Sequence, residues 1–248
     1  MFKYGKNTFE NCLATGHKIS LIKRYLHNIV YGGSDGIIST FVVVSGFVGA
    51  KNSQSLESSI PLFVLLLFGF ANLAADAVSM AFGNFLSIRA AKDVYEDLAN
   101  EEFKRLHFKK QEEKEETERI LVEQGFTTSQ TREMTEIISQ NRPYWLRFMM
   151  RSKLGMDYVL DENPFVNASI TFFSFIFFGF FPLAPFVFNF RAHGFLFSVV
   201  FTVIALALVG FLRGYLTGKR LLKTMVEVVS VGALAALTAY FVGISFRI

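Results

Sequence analysis

Two aspartates, Asp35 and Asp76, stand in long apolar stretches of the sequence. A carboxylate at the centre of a membrane helix costs about 2.5–3.5 kcal/mol even on the mildest insertion scale, so each of the two needs a compensating function. From Asn72 onward a polar residue or a methionine recurs at every fourth position, through Asp76 and Met80 to Asn84. This spacing keeps the four side chains near one face of an α-helix. Carboxylate and amide oxygens bind divalent cations and a thioether favours transition metals, so the stripe predicts a path for iron or manganese.

The same residues admit a structural interpretation. Met80 would then pack as an apolar side chain, Asn72 and Asn84 would hydrogen-bond to neighbouring helices, and Asp76 would be protonated or paired. None of the apolar stretches contains a Lys or Arg that could pair with an aspartate. A metal ion or a proton is therefore the expected neutraliser of the charge.

The helices that must hold these residues are visible as apolar segments long enough, at about 1.5 Å per residue, to cross a bilayer. The predicted spans are 29–50, 60–88, 165–188, 194–212 and 225–246. Pro182 and Pro185 should kink or end the third helix. Gly32, Gly33 and Gly36 allow either a close approach of another helix or a local unwinding of the first one, and the small residues predict tight helix packing or dimerisation. The predicted fold is an all-α integral membrane protein with five transmembrane helices.

A charged segment separates the second span from the third. Residues 89–164 hold 13 of the 25 Lys and Arg residues and 16 of the 21 Asp and Glu residues. Strong helix formers fill 90–124, a stop is expected at 107–110, and Gly125 and Asn141-Arg142-Pro143 mark further helix ends. Thr128 or Ser129 is the expected N-cap between them. The predicted domains are therefore a segment 1–28, spans one and two at 29–88, a helical insert at 89–164, and spans three to five at 165–248.

The last helix of the insert is expected to be amphipathic. Trp145, Phe148, Met149 and Leu154 share one face, and Lys153 lies on the opposite face. Such a helix would cap the insert or lie on the membrane surface.

Glutamates crowd the insert, and pairs such as Glu113 and Glu116 lie on one face of a helix. They would either bind a divalent cation or pair with nearby lysines and arginines. No Cys stands among them, and the single histidine, His107, is more often a surface residue than a ligand when it stands alone.

Lysine and arginine divide unequally between the two sides of the membrane. Counted over alternate segments, 22 lie on one side and 3 on the other. The positive-inside rule therefore places the N-terminus and the insert in the cytosol.

The sequence disfavours several classes of function. The insert is more acidic than basic, which excludes a platform for nucleic acid. There is no Gly-x-x-x-x-Gly-Lys-Ser/Thr run for a nucleotide, and the 4 histidines are scattered, so we expect neither an ATP-driven pump nor an enzyme, and no cofactor. A non-transporting membrane protein whose insert senses metal or binds a partner stays as the alternative to a transporter.

Three segments carry a resemblance to a known family. They are 31–41 (YGGSDGIISTF), 44–50 (VSGFVGA) and 75–85 (ADAVSMAFGNF). They are similar to motifs of the vacuolar iron transporter family, and the resemblance extends over nearly the whole chain. It implies a homodimeric exporter that moves ferrous iron, and often manganese, from the cytosol into a vacuole or out of the cell in exchange for protons.

The resemblance also implies a location and a set of site residues. The protein would lie in the lipid of a vacuolar membrane or a bacterial cell membrane, with the metal as its transported substrate. The family's pore acid falls on Asp35 and its pore methionine on Met80. Its cytosolic metal-binding set falls on four residues of the insert, Glu102, Glu113, Glu116 and Met149.

The chain departs from the family pattern at several of these places. An acid of the family is replaced by Asn84, a small residue by Asp76, and expected glutamates of the insert by Arg105, Met150 and Lys153. A weakened metal site in the insert is therefore expected. Asp76 lies two turns before Asn84 on the same stripe, so it could restore one negative charge inside the membrane.

Overall fold

The computed structural model describes residues 21–50, 59–156, 163–188 and 193–245, and these residues form helices without any strand. The chain divides into two compact units, Met1–Phe82 with Val166–Ile248, and Gly83–Phe165. We call them the apolar unit and the polar unit, since most of the charged residues fall in the second. The expected all-α class is confirmed.

The helices are numbered in chain order. They are α1 (Leu21–Arg24), α2 (Leu26–Ala50), α3 (Ser59–Phe108), α4 (Lys110–Glu123), α5 (Thr128–Gln140), α6 (Arg142–Ser152), α7 (Pro164–Gly179), α8 (Ala184–Val187), α9 (Gly194–Thr217) and α10 (Leu221–Ser245). Helix α3 contributes its first part to the apolar unit and its last part to the polar unit.

Four helices of the described residues are long and apolar enough to cross a membrane, namely α2, α3, α9 and α10. They coincide with the first, second, fourth and fifth predicted spans. Helix α2 runs through Gly32 and Gly33 without interruption. The chain is accordingly a multi-pass integral membrane protein.

The third predicted span is a broken helix. Helix α7 ends at Gly179 after 16 residues, which is about 24 Å at 1.5 Å per residue and shorter than a hydrocarbon core of about 30 Å. Pro182 lies in the turn that follows and Pro185 in the first turn of α8, so the predicted break at these prolines is confirmed. Ser198 Oγ of α9 donates a hydrogen bond of 2.7 Å to the carbonyl oxygen of Pro182. Protein therefore satisfies a carbonyl in this irregular segment, as a membrane interior requires.

Glycines set the distances between α2 and the helices packed on it. A Cβ at Gly36 would lie 2.4 Å from the carbonyl oxygen of Phe175 in α7, and a Cβ at Gly49 would lie 2.6 Å from that of Tyr240 in α10. Both distances are well below van der Waals contact, so the helix backbones reach this spacing only because glycine has no side chain. The close packing predicted from the small residues is confirmed.

The polar unit is a set of short helices around one apolar core. The core side chains come from the end of α3 and from α4, α5 and α6, and they are Leu106, Ile120, Leu121, Ile138, Trp145 and Met149. Helix α3 ends at Phe108, within the stop predicted at 107–110. Gly125 follows α4 with a φ of 99°, a left-handed value that favours glycine.

Two caps separate the remaining helices of this unit. Asn141 precedes α6, and its side chain accepts a hydrogen bond of 3.2 Å from the Tyr144 N–H, as expected for the predicted break. The N-cap of α5 is Thr127, one residue before the expected Thr128 or Ser129. Its N–H donates a hydrogen bond of 3.0 Å to Gln130 Oε1, which completes the first turn.

The predicted faces of α6 are correct only in part. Trp145 and Met149 are buried in the core of the polar unit, so the helix caps the insert. Leu154 is exposed, because α6 ends at Ser152 and the chain leaves the helical path there. For the same reason Lys153, expected on the opposite face, is directed at two glutamates instead.

Candidate metal-binding residues of the two units

The two aspartates of the apolar unit stand on different helices, Asp35 on α2 and Asp76 on α3. Asp35 of α2 and Asp76 of α3 lie close enough for their charges to interact. The Asn72 amide nitrogen donates a hydrogen bond of 2.7 Å to Asp76 Oδ2 from one turn earlier in α3. The amide oxygen of Asn72 is then a further acceptor beside the carboxylates. The site thus offers oxygen ligands from two helices.

The two aspartates differ in their exposure. Asp35 is exposed on the surface of the single chain, whereas Asp76 and Asn72 are half-buried. A carboxylate facing lipid is costly, so water, a metal ion or another protein surface has to cover Asp35 in a membrane.

Met80 follows Asp76 by one turn of α3 and is half-buried. It packs against a small apolar cluster of Leu73, Ala77 and Phe175. The structure thus shows the packing role of Met80 directly. Asn84, the last member of the stripe, belongs to the polar unit and is also half-buried.

A buried pair of amides in the apolar unit was not predicted. Asn28 Nδ2 of α2 donates a hydrogen bond of 2.5 Å to Asn167 Oδ1 of α7, and both residues are buried. The same two helices are in close contact at Gly32, where a Cβ would lie 2.7 Å from the carbonyl oxygen of Thr171. The partners stand 139 positions apart, so no local pattern could have paired them. The available signal was an amide next to the first predicted span and another inside the third.

Two buried glutamates of the polar unit share one ammonium group. Lys153 Nζ donates hydrogen bonds of 2.9 Å to Glu102 Oε1 and 2.8 Å to Glu113 Oε2. The glutamates are only 3% and 5% exposed. Glu102 comes from α3, Glu113 from α4, and Lys153 directly follows α6. The fold of the unit therefore brings together three charges that are distant in sequence.

The lysine of this cluster is held in its charged form. Burial alone would lower the pKa of Lys153, but the hydrogen bonds that it donates to Glu113 and Glu102 outweigh burial and raise that pKa above its usual value. The ammonium therefore stays protonated at neutral pH.

The other two predicted ligands of the insert have partners of their own. Glu116 forms an ion pair with Arg119 one turn along α4. Met149 is fully buried, with its Sδ 3.4 Å from the Thr117 hydroxyl oxygen. That oxygen accepts a hydrogen bond of 2.8 Å from Trp145 Nε1. Across the described parts of both units, no group of three or more His, Cys, Asp or Glu side chains is arranged to hold a metal ion.

Comparison with known proteins gives one consistent result. The model of the VIT family matches residues 26–244. A protein of Toxoplasma gondii named vacuolar iron transporter is 33% identical over 88% of this chain and 73% of its own length. Vacuolar iron transporter 1 of Arabidopsis thaliana is 28% identical over 87% of this chain and 83% of its own length. The vacuolar iron transporter of Plasmodium falciparum is 27% identical over 99% and 90%, respectively.

Proposed function

The chain belongs to the VIT family, and from that membership we propose that it is a secondary transporter which moves ferrous iron, and manganese as well, out of the cytosol in exchange for protons. The observation that supports the proposal is the pair of aspartates, Asp35 and Asp76, which stand on two helices long and apolar enough to cross a membrane and whose charges interact. The names of the relatives from Toxoplasma gondii and Arabidopsis thaliana support iron as the cargo.

The two aspartates hold the metal ion in this proposal. Two carboxylates balance the charge of a divalent cation, so the loaded site is close to neutral and avoids the cost of an isolated charge in a membrane. Asn72 contributes its amide oxygen and Met80 its sulfur. The thioether favours iron and manganese over calcium and magnesium, which prefer oxygen ligands only.

Protons compete with the metal for the same carboxylates. A protonated carboxyl group is a poor metal ligand, so proton arrival from the acidic side releases the ion. Alternating occupancy by metal and protons couples the two fluxes. The proton gradient supplies the energy, in keeping with a sequence that has no nucleotide-binding loop.

Asp76 takes the role of the acid that the family carries at position 84. Both positions lie on the four-residue stripe of α3 with Met80. The hydrogen bond from Asn72 orients the Asp76 carboxylate. A glycine or alanine at position 76 would have no carboxylate to accept this bond. An acid at position 76 instead of position 84 keeps one negative charge on the path and moves that charge about two turns along α3.

The assembly that we propose is a homodimer in a vacuolar or cell membrane, with five spans and with the N-terminus and the helical insert in the cytosol. The exposed carboxylate of Asp35 gives the reason for a second copy, since a protein surface over this face would remove it from lipid. The excess of Lys and Arg in the N-terminal segment and the insert sets the orientation.

Flux measurements in proteoliposomes test the proposal directly. The purified protein is reconstituted into vesicles with an acidic interior that contain one dye for ferrous iron and one for pH. Iron influx should depend on the proton gradient and should raise the internal pH at the same time. If correctly folded and inserted protein gives no more iron influx than empty vesicles, the non-transporting alternative replaces the transporter.

A further inference from the structure

The glutamate pair of the polar unit carries an inference about this unit itself, and only its consequence for metal uptake rests on the proposed function. Glu102 and Glu113 converge from two helices with almost no access to solvent. Two buried carboxylates at one place repel each other and lose their hydration, so the pair requires either a proton on one of them or a cation between them.

That cation is part of the chain. Lys153 Nζ makes a hydrogen bond to one oxygen of each glutamate, with distances of 2.8 and 2.9 Å that are ordinary for charged partners. The lysine side chain is itself only 17% exposed. It lies immediately after α6, and the neighbouring Met149 is fixed in the core, so the ammonium is tethered at this position.

We propose that Lys153 is a fixed counter-cation which occupies the position that an exchangeable divalent cation would need in order to bridge Glu102 and Glu113. The polar unit then folds around its own ammonium, and its stability does not respond to metal. Uptake of metal from the cytosol depends in that case on the apolar unit rather than on a metal-loaded insert.

The surroundings of the pair agree with this assignment. Met149, whose sulfur would be the soft ligand of a metal, is buried in the hydrophobic core of the polar unit, beside Thr117. Glu116 is paired with Arg119. Two carboxylates and one ammonium together leave one net negative charge. This is less than a divalent ion would require in a buried site.

A built-in probe allows the test in the full-length protein. Trp145 is the only tryptophan of the chain, and it is buried in the core of the polar unit with its Nε1 bonded to Thr117. Its fluorescence therefore reports thermal unfolding of this unit in the detergent-purified protein. The unfolding midpoint is measured with a chelator and with millimolar Mn²⁺.

The matched variants remove one ammonium each. Lys153→Gln should lower the midpoint in chelator by roughly 10 °C, because it leaves two buried carboxylates without a counter-ion, and Mn²⁺ should restore at least half of that loss. Lys114→Gln is the control, since Lys114 has the same 17% side-chain exposure in the same unit but pairs with the exposed Glu136. The wild type and this control should shift by less than about 1 °C with Mn²⁺.

Two results would overturn the proposal. One is a wild-type midpoint that rises with Mn²⁺ and loses this rise in Glu102→Gln, since metal would then displace the lysine. The other is a Lys153→Gln protein as stable as the wild type in chelator, since the ammonium would then not be the counter-ion. If Lys153→Gln folds under neither condition, the wild-type measurement alone decides between the two assignments.

Discussion

The proposed transport path includes both Asp35 and Met80, but the two residues would contribute different chemistry. A carboxylate can bind metal and exchange protons, whereas a thioether can bind metal only. The charge of Asp76 also acts on Asp35, while Met80 packs against Leu73, Ala77 and Phe175. Substitutions at the two positions should therefore have unequal effects.

Asp35→Asn should abolish gradient-driven iron influx, and Met80→Ala should lower it by roughly tenfold, because only the first removes the proton-exchanging group. Proteoliposome flux at equal amounts of inserted protein measures both. Asp93→Asn, which changes an exposed aspartate of α3 in the polar unit, is the matched control and should transport like the wild type. Wild-type flux in Met80→Ala would leave this residue with its packing role alone.

The proposed exchange between positions 76 and 84 can be tested by reversing it. Asp76→Gly should lose most transport, and the double variant Asp76→Gly with Asn84→Glu should recover part of it. The reason is that both positions lie on the same stripe of α3 and the path requires a charge near Met80. Iron flux and the accompanying proton flux are the readouts. A double variant no better than the single one, with both correctly inserted, would make Asp76 a structural or proton-only group.

At the scale of elements, the position of Asp35 depends on how closely α2 packs against its neighbours. Glycines of α2 touch the backbone of α7 and α10, and the buried Asn28–Asn167 hydrogen bond joins α2 to α7. A helix held on two sides in this way has a fixed position relative to α7 and α10, and so does the residue Asp35 that it carries. The glycine contacts are thus part of the proposed site although no glycine binds metal.

Gly36→Ala should destabilise the protein by about 1–3 kcal/mol, because the new methyl group would lie 2.4 Å from the Phe175 carbonyl oxygen and force α2 and α7 apart. Thermal unfolding in detergent measures the change. Gly83→Ala in α3 is the matched control, since nothing lies within 4 Å of its Cβ position. It should be neutral or gain up to about 1 kcal/mol from better helix propensity. Equal loss in both variants would count against the close α2–α7 contact.

At the scale of the whole molecule, the two units contain carboxylates in opposite situations. The aspartates of the apolar unit have no Lys or Arg within the apolar stretches, whereas the glutamates of the polar unit already have an ammonium between them. An exchangeable cation is therefore expected in the first unit and a permanent one in the second. We therefore expect transport to depend on the aspartates of the apolar unit and not on the buried glutamates of the polar unit.

The triple variant Glu102→Gln, Glu113→Gln and Lys153→Met should keep iron influx within about twofold of the wild type. It removes the buried charges together, which is often neutral for stability, and it leaves the aspartates of the apolar unit unchanged. Proteoliposome flux measures the effect, with Trp145 fluorescence as the check that the polar unit is folded. A loss as large as that of Asp35→Asn would show that the insert takes part in metal uptake.

The proposed dimer should bring the Asp35 faces of two copies together. Tyr31 lies one turn before Asp35 on α2 and is 52% exposed, so Tyr31→Cys in a Cys12→Ser background should crosslink between copies with a short bis-maleimide. Leu234→Cys on α10 is the control. Leu234 is similarly exposed but, unlike Tyr31, does not lie one turn from Asp35 on the same helix. Denaturing gel electrophoresis of the treated membranes shows whether a crosslinked dimer forms. Crosslinking at Leu234 without crosslinking at Tyr31 would place the interface elsewhere.

The sequence alone was sufficient for the four long apolar helices, the helices of the polar unit and the spacing of the stripe on α3. Hydropathy, charge and the spacing of Asp76 and Met80 are local properties, and a helix converts local spacing into a shared face by its fixed periodicity. The break at Pro182 was predictable for the same reason, because proline acts on its own backbone. The resemblance of 31–41 and 75–85 to a known family was likewise readable without coordinates.

Only the tertiary structure decided which distant side chains meet. Lys153 was expected on the face opposite Met149, but α6 ends one residue earlier and the ammonium lies between Glu102 and Glu113. The Asn28–Asn167 bond likewise joins separate helices. Such contacts depend on the packing of whole helices, which a local pattern does not encode, and burial then determines whether a carboxylate needs an ammonium or remains available to a metal ion.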